Sequence, residues 1–323
     1  MNTLDHNLQT FIKRFQNLRV DRSLGIAPHK PILLLTIIEN IENKNIFSNK
    51  VFITSEIVAS FKKNWSLLVK TNHNISFALP FYHLRSDKFW TLKPKVGFEN
   101  ALNISSAMRG FKNLNQVVDY AEINEDLFEL LANEDSRNIL RFVILNTYFP
   151  ETKINFISNY GKGYKRYIES IENKILKESA IRYKQEFENL DDEDIFIRSD
   201  IFKKVVPRIY SYTCCISELN ISALANISMI DACHIVPFSV SHDDTIKNGI
   251  SLCPNLHRAF DRGLISIDAE YKVIVSNCFT ENSESDYGII KYKGKRMMLL
   301  MDQQYWPDRE NLKWHRKNVL LNT

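Results

Sequence analysis

Residues Cys214–Asp268 read CCISELNISALANISMIDACHIVPFSVSHDDTIKNGISLCPNLHRAFDRGLISID. Met229 to Ile235 has the character of a strand, and Pro237, shortly after His234, ends its ladder because proline has no N–H to donate. A polar loop, Ser239 to Lys247, follows. Asn248-Gly249 is a turn dipeptide, and Ile250-Ser251-Leu252 makes a short return strand. Pro254 suits the first turn of a helix that carries His257 and Asp261, four residues apart and therefore on one face. The unit thus places one imidazole where a strand ends, and a second imidazole with a carboxylate on the next helix. An imidazole can take a proton from water near neutral pH. Imidazole nitrogens and carboxylate oxygens are also ligands for a hard divalent cation, which can hold a phosphate.

His234 and Asn248 stand fourteen residues apart, and Asn248 and His257 nine. With CCISE, DACHIVP and NGISLCPNLHRAFDRGLIS around them, these residues resemble the HNH, or ββα-metal, nuclease finger. The resemblance runs to the branch found in type IV, modification-dependent restriction endonucleases. It implies phosphodiester hydrolysis in double-stranded DNA with a divalent metal, Mg²⁺ or Mn²⁺. By that pattern His234 is the general base, and Asn248 ties down the loop that aims it. His257 is the helix-borne metal ligand, and Asp231 the carboxylate ligand. Many such fingers put the ligating acid immediately before the base, where this chain has Cys233. Asp261 is expected either to orient His257 or to be part of an ordinary helix stop with Arg262-Gly263. Arg258 and Arg262 are the expected phosphate contacts. The stretch from Trp306-Pro307 to LKWHR at 312–316 resembles the closing segment of the same branch, where a last helix packs on the finger.

Outward from this region the chain changes character. All five cysteines, Cys214, Cys215, Cys233, Cys253 and Cys278, fall in the last third of its 323 residues. An odd, crowded count does not make a secreted disulfide framework, and without paired C-x-x-C knuckles the spacing does not favour a structural zinc. No run of eighteen apolar residues offers a membrane span, and MNTLDHNLQTFIKRF lacks the uninterrupted apolar core of a signal peptide, so a cytoplasmic protein is expected. The net charge is only +4, but it is uneven. Residues 1–120 carry sixteen Lys/Arg against eight Asp/Glu, residues 121–200 eleven against seventeen, and residues 201–323 fifteen against thirteen. A basic first third suits a polyanionic partner, although composition drift can produce the same imbalance.

In that first third, PILLLTIIENIEN (Pro31–Asn43) predicts a buried helix, and Phe52 to Val69 a second, amphipathic one. FALPFYHLRSDKFWTL (Phe77–Leu92), dense in aromatics, predicts two short strands about a polar turn at Arg85–Lys88. Leu127 to Tyr148 predicts one further helix. Residues 151–195, with their charged segment ending in Asp191-Asp192-Glu193-Asp194, read as a helical connector. GIAPHKPILLLTII and LPFYHLRSDKFW resemble the first domain of the same restriction enzymes, which in several relatives is a sulfur-binding module for phosphorothioate DNA. That likeness implies an apolar pocket lined by Pro80 and His83, with His29 and Lys30 beside it. Lys30 stands where arginine is usual, Leu79 where an aromatic is common, and His83 where a small residue leaves room for sulfur.

The expected fold class is α+β: a helical or mixed DNA-recognition domain over 1–150, a helical linker over 151–195, and an HNH endonuclease domain over 196–323. One such centre cuts one strand, so a homodimer is expected for double-strand cleavage. Two other readings stay open: an HNH restriction endonuclease that reads unmodified or methylated DNA, and a DNA-binding protein whose finger is inactive.

Overall fold

Two helices open the chain in the computed structural model, α1 (Thr3–Gln16) and α2 (His29–Glu42). The structure describes residues 3–103, 107–160, 163–187, 190–221, 228–282 and 287–321. Contacts divide the chain into two units. The first comprises residues 1–168 and 191–197, the second residues 169–190 and 198–323.

In the first unit α2 is the core. Lys30 through Ile41 are all buried, and α2 packs against α3 (Ser55–Leu68), α4 (Ala78–His83), α6 (Glu125–Ala132) and α7 (Glu134–Tyr148). A helix apolar on every side can only sit inside. Each of its buried Leu and Ile side chains contributes about 1.5–3 kcal/mol by leaving water. Its polar positions are satisfied internally: Thr36 donates to the Ile32 carbonyl, Asn40 to that of Thr36, and Glu39 accepts from Ser60 and Asn64. Strands β1 (Lys50–Phe52), β2 (Trp90–Pro94) and β3 (Val118–Ile123) form an antiparallel sheet in the order β1-β3-β2. Helices α5 (Phe111–Val117) and α8 (Lys153–Asn159) complete this part.

Two expectations differ from the structure here. Phe77–Leu92 does not make two strands: its first half is α4 followed by a 3-10 turn, Leu84–Asp87, and only the second half enters the sheet as β2. Phe77, Phe81 and Trp90 meet as an aromatic cluster, with Trp90 Nε1 donating to the Phe81 carbonyl. The aromatics that suggested β structure are therefore a helix-side core, and Pro80 is tolerated because it lies in the first turn. The helix expected over Leu127–Tyr148 is two, α6 and α7. They are separated by Asn133, whose side chain caps α7 by accepting from Ser136 N.

The second unit includes α10 (Ala180–Phe187) and most of α11 (Asp192–Ile209). Of the connector stretch, which also holds α9 (Gly163–Lys177), residues Gly161, Lys162, Glu188 and Asn189 lie outside the described residues. Strands β4 (Asp231–His234) and β5 (Gly249–Leu252) pair antiparallel, with Asp231 opposite Leu252 and His234 opposite Gly249. A short helix, α12 (Phe238–Ser241), lies in the loop between them, and α13 (Pro254–Asp261) follows and packs on both strands. A second hairpin, β6 (Ile265–Ile267) and β7 (Val273–Val275), supports α13 and α14 (Arg309–Asn318).

Two glycines set these approaches. A Cβ on Gly249 would lie 2.9 Å from the side chains of Phe202 and Val206, so only glycine lets α11 cross β5 this closely. Gly263 has φ +69 and sits where a Cβ would meet the Val319 carbonyl at 2.0 Å. It ends α13 in the left-handed conformation and seats the chain that follows α14.

His315, on α14, is fully enclosed. It stacks on Phe260 at 3.6 Å, pairs through Nδ1 with Ser266 Oγ at 2.9 Å, and faces the Phe260 carbonyl from Nε2 at 3.2 Å. Burial, with Arg316 nearby, pulls its pKa from 6.5 down to about 4. The unfolded chain therefore binds this proton first. The contribution of His315 to stability is complete above about pH 6.5 and is lost as pH falls towards 4, a change of about 3 kcal/mol. Thermal melts between pH 7 and 4 should show wild type losing stability more steeply than His315→Gln; equal slopes would contradict the assignment.

Candidate active site

His234, His257 and Asp261 line one cleft beside the β4–β5 hairpin, Asp231 at the other end of β4 reaches His257, and Asn248 is buried in the loop behind His234. Residues His234, Ile235, Pro237, Phe238, His257, Asp261, His315 and Val319 line a cleft of about 320 Å³. His234 leaves the last position of β4 and points its Nε2 at Asp244 Oδ1, 2.8 Å away. The Phe202 ring, from α11, lies flat against it at 4.1 Å and 10°.

Asn248 is wholly buried and holds the loop between the two strands. Its Nδ2 donates to the carbonyls of Val236 and Asp243, both at 2.9 Å, and to Ser241 Oγ at 3.3 Å. Its Oδ1 accepts from Val236 N at 2.9 Å. Because Val236 lies two residues after His234 and Asp243 one before Asp244, this one amide sets both partners of the His234–Asp244 pair.

His257 rises from α13 between two carboxylates. Asp231 Oδ2 is 3.3 Å from its Nδ1, and Asp261 Oδ2 is 3.4 Å from its Nε2, as expected for residues one helical turn apart. Cys233 Sγ donates to Asp261 Oδ1 at 3.8 Å. Burial pushes that thiol well above its ordinary pKa, with Asp261 adding to the effect, so it stays a donor to the carboxylate. Ligand atoms of Cys233, His257 and Asp261 lie within 4.8 Å of one another, the only such cluster of three or more among the described residues. An imidazole flanked by two exposed carboxylates is a donor set that fits a hard divalent cation. Elsewhere Cys214 and Cys253 both meet Ser217, whose N donates to Cys214 Sγ at 3.4 Å and whose Oγ lies 3.9 Å from Cys253 Sγ. Arg258 and Arg262 are exposed on and just beyond α13.

The first unit has its own cavity, of about 650 Å³. All four residues expected at a pocket, His29, Lys30, Pro80 and His83, line it, together with Val20, Ala27 and Leu79. Arg19, Arg109 and His73 also reach its wall. Lys30 is not a free cation there. Its Nζ is bound to Asp87 at 2.6 Å and to Ser86 at 2.8 Å, and its side chain is 8% exposed. His29 packs on Trp65 at 4.7 Å and pairs with the Asn74 carbonyl at 2.9 Å, and burial holds its pKa below the usual range.

Sequence reasoning missed Asp244, Tyr183 and Phe202 around His234, and Arg19 and Arg109 around the first cavity. Asp244 had no periodic or spacing signal, Tyr183 comes from the stretch that read as a connector, and Phe202 from the start of the expected nuclease domain, where no motif stood out.

Residues 214–268 match the HNH_2 family, described as HNH endonuclease, and form an HNH endonuclease domain. No curated protein matches the chain. Two solved structures titled as restriction endonucleases are similar to parts of it. One, titled "Modification dependent TagI restriction endonuclease", is 21% identical over 37% of this chain and 39% of its own length, with a TM-score of 0.29. This chain therefore spans about two fifths of that protein. A second, the "Type IV phosphorothioation-dependent restriction endonuclease ScoMcrA", is 11% identical over 77% of this chain and 94% of its own, with a TM-score of 0.32. No helix among the described residues is long and apolar enough to cross a membrane.

Proposed function

We propose that this chain is a modification-dependent restriction endonuclease, hydrolysing DNA phosphodiesters at His234 and reading a modified duplex with its first unit. The observation that carries the catalytic half is the convergence of His234, His257 and Asp261 on one cleft. Asp231 and His257 Nδ1 are the ligands for Mg²⁺ or Mn²⁺, and Asp261, held by Cys233, fixes the ring from Nε2. A divalent ion held there would supply polarisation of the phosphate and neutralisation of charge on the leaving oxygen. His234 takes the proton of the attacking water, while exposed Arg258 and Arg262 steady neighbouring phosphates.

For the reading half, the cavity of the first unit is lined by the apolar Val20, Ala27, Leu79 and Pro80 and by the cationic Arg19 and Arg109, with Asp21 beside them. Sulfur is larger and less hydrated than oxygen, so an apolar lining with cations beside it suits a phosphorothioate. His29 and His83 are the wall contacts, and Lys30 acts through Asp87 to shape the wall. Two copies are needed to cut both strands, and a homodimer supplies them.

The test is cleavage of one plasmid prepared unmodified, methylated and phosphorothioated, with EDTA, Mg²⁺ or Mn²⁺, alongside gel filtration of the DNA complex. Cutting confined to the phosphorothioate plasmid and to added metal is expected. Equal cutting of all three removes the modification reading, and binding without cutting under every metal makes the chain an inactive-finger DNA binder. Nicking without linearisation, from a monomeric complex, overturns the dimer.

A further inference from the structure

The proposed base, His234, is held by a side chain that the family pattern does not name. Its Nε2 lies 2.8 Å from Asp244 Oδ1, and the Asp244 side chain is 1% exposed. The other carboxylate oxygen, Oδ2, accepts from Tyr183 Oη at 3.3 Å. Tyr183 is itself wholly buried on α10, and the Arg198 guanidinium lies over its ring at 4.9 Å. Arg198 is tied in turn to Glu186 at 3.1 Å. On its face, His234 is stacked by Phe202. A carboxylate shut off from water needs its hydrogen bonds, so the Nε2 that faces it is the ring nitrogen that carries the donated hydrogen. That leaves the basic lone pair on Nδ1.

We propose that Asp244, itself held by Tyr183, is the positioning residue that fixes the tautomer and aim of His234 for proton abstraction from water. This rests on the reading of His234 as the base. As the water oxygen forms its bond to phosphorus, its proton passes to Nδ1. The bond to the leaving oxygen breaks, and that oxygen takes a proton from solvent. Asp244 keeps its charge throughout and stabilises the imidazolium that results, as the carboxylate does in Ser-His-Asp hydrolases. The segment read as a linker thereby contributes Tyr183 to the catalytic apparatus.

The experiment uses the full chain in three forms, wild type, Asp244→Asn and Tyr183→Phe. Asparagine keeps the size of the side chain but can accept from or donate to Nε2, so both tautomers become populated. The expected result is a cleavage rate lower by about 10²–10⁴-fold in Asp244→Asn, with DNA affinity and melting temperature near wild type. Tyr183→Phe, which loses one hydrogen bond to the carboxylate, should slow by about tenfold. A second readout is the ¹⁵N spectrum of the His234 ring. It should show the Nε2–H tautomer in wild type and a mixture in Asp244→Asn. Unchanged cleavage together with an unchanged tautomer overturns the proposal, as does a rate loss that only follows loss of folding. If no form cuts DNA, the nuclease reading fails by itself, and the ring spectrum still decides whether Asp244 sets the tautomer.

Discussion

Replacing His234 with glutamine should lower the rate of DNA cleavage by about 10²–10⁴-fold while leaving DNA binding close to wild type. General-base catalysis is worth roughly 10²–10⁴-fold, and the other two imidazoles lining the cleft are otherwise engaged: His257 between Asp231 and Asp261, and His315 against Ser266 and Phe260. The choice of glutamine matters. Removing the ring altogether, as in His234→Ala, strands the buried Asp244 carboxylate without its main partner and opens a gap beside Phe202. Losing a hydrogen bond to such a buried charge costs about 1.5–3 kcal/mol, and the gap adds to it, so the alanine variant should fail partly through lost stability. Glutamine can still donate an amide hydrogen towards Asp244 but cannot act as a base near neutral pH. Melting temperature and DNA affinity measured beside cleavage separate the two losses. A glutamine variant that still cuts at a tenth of the wild-type rate or better would falsify the assignment of His234.

The second large effect is expected at Asn248. In Asn248→Ala the Val236 N–H and the carbonyls of Val236 and Asp243 all lose a partner inside the protein. Each unsatisfied group costs about 1–3 kcal/mol, and part of that returns as the loop relaxes or takes up water, so a loss of about 3–5 kcal/mol is expected. Asn248→Asp should be no better, since a carboxylate cannot donate to two carbonyls. Chemical denaturation measures the loss directly. The cleavage rate should fall with it even below the melting transition, because the same amide spaces His234 from Asp244. A variant of wild-type stability would show that the loop is held by other contacts.

Much of the finger is legible in the chain's local signals. Proline at 237 and 254, the Asn248-Gly249 pair and the i, i+4 relation of His257 and Asp261 are local signals, and the structure places β4, β5 and α13 where they indicate. The buried α2 was legible for the same reason, since an apolar run after a helix-starting proline has few alternatives. Phe77–Leu92 was misread because aromatics favour strands and cores alike, and only packing against Phe61, Phe111 and Trp90 decided between them. The break at Asn133 was missed because a capping side chain costs little and leaves the apolar rhythm almost unbroken.

Hydrogen bonding and side-chain periodicity act over a few residues, so the order and type of the finger's elements could be read from the chain alone. Only the tertiary structure decided what surrounds the finger's two imidazoles. Asp244 meets His234 from ten residues away and Tyr183 meets Asp244 from sixty-one. Lys30 is taken out of use as a free cation by Asp87. Such pairings follow from how distant segments are packed out of water, where a buried charge must find its partner wherever the chain happens to bring one.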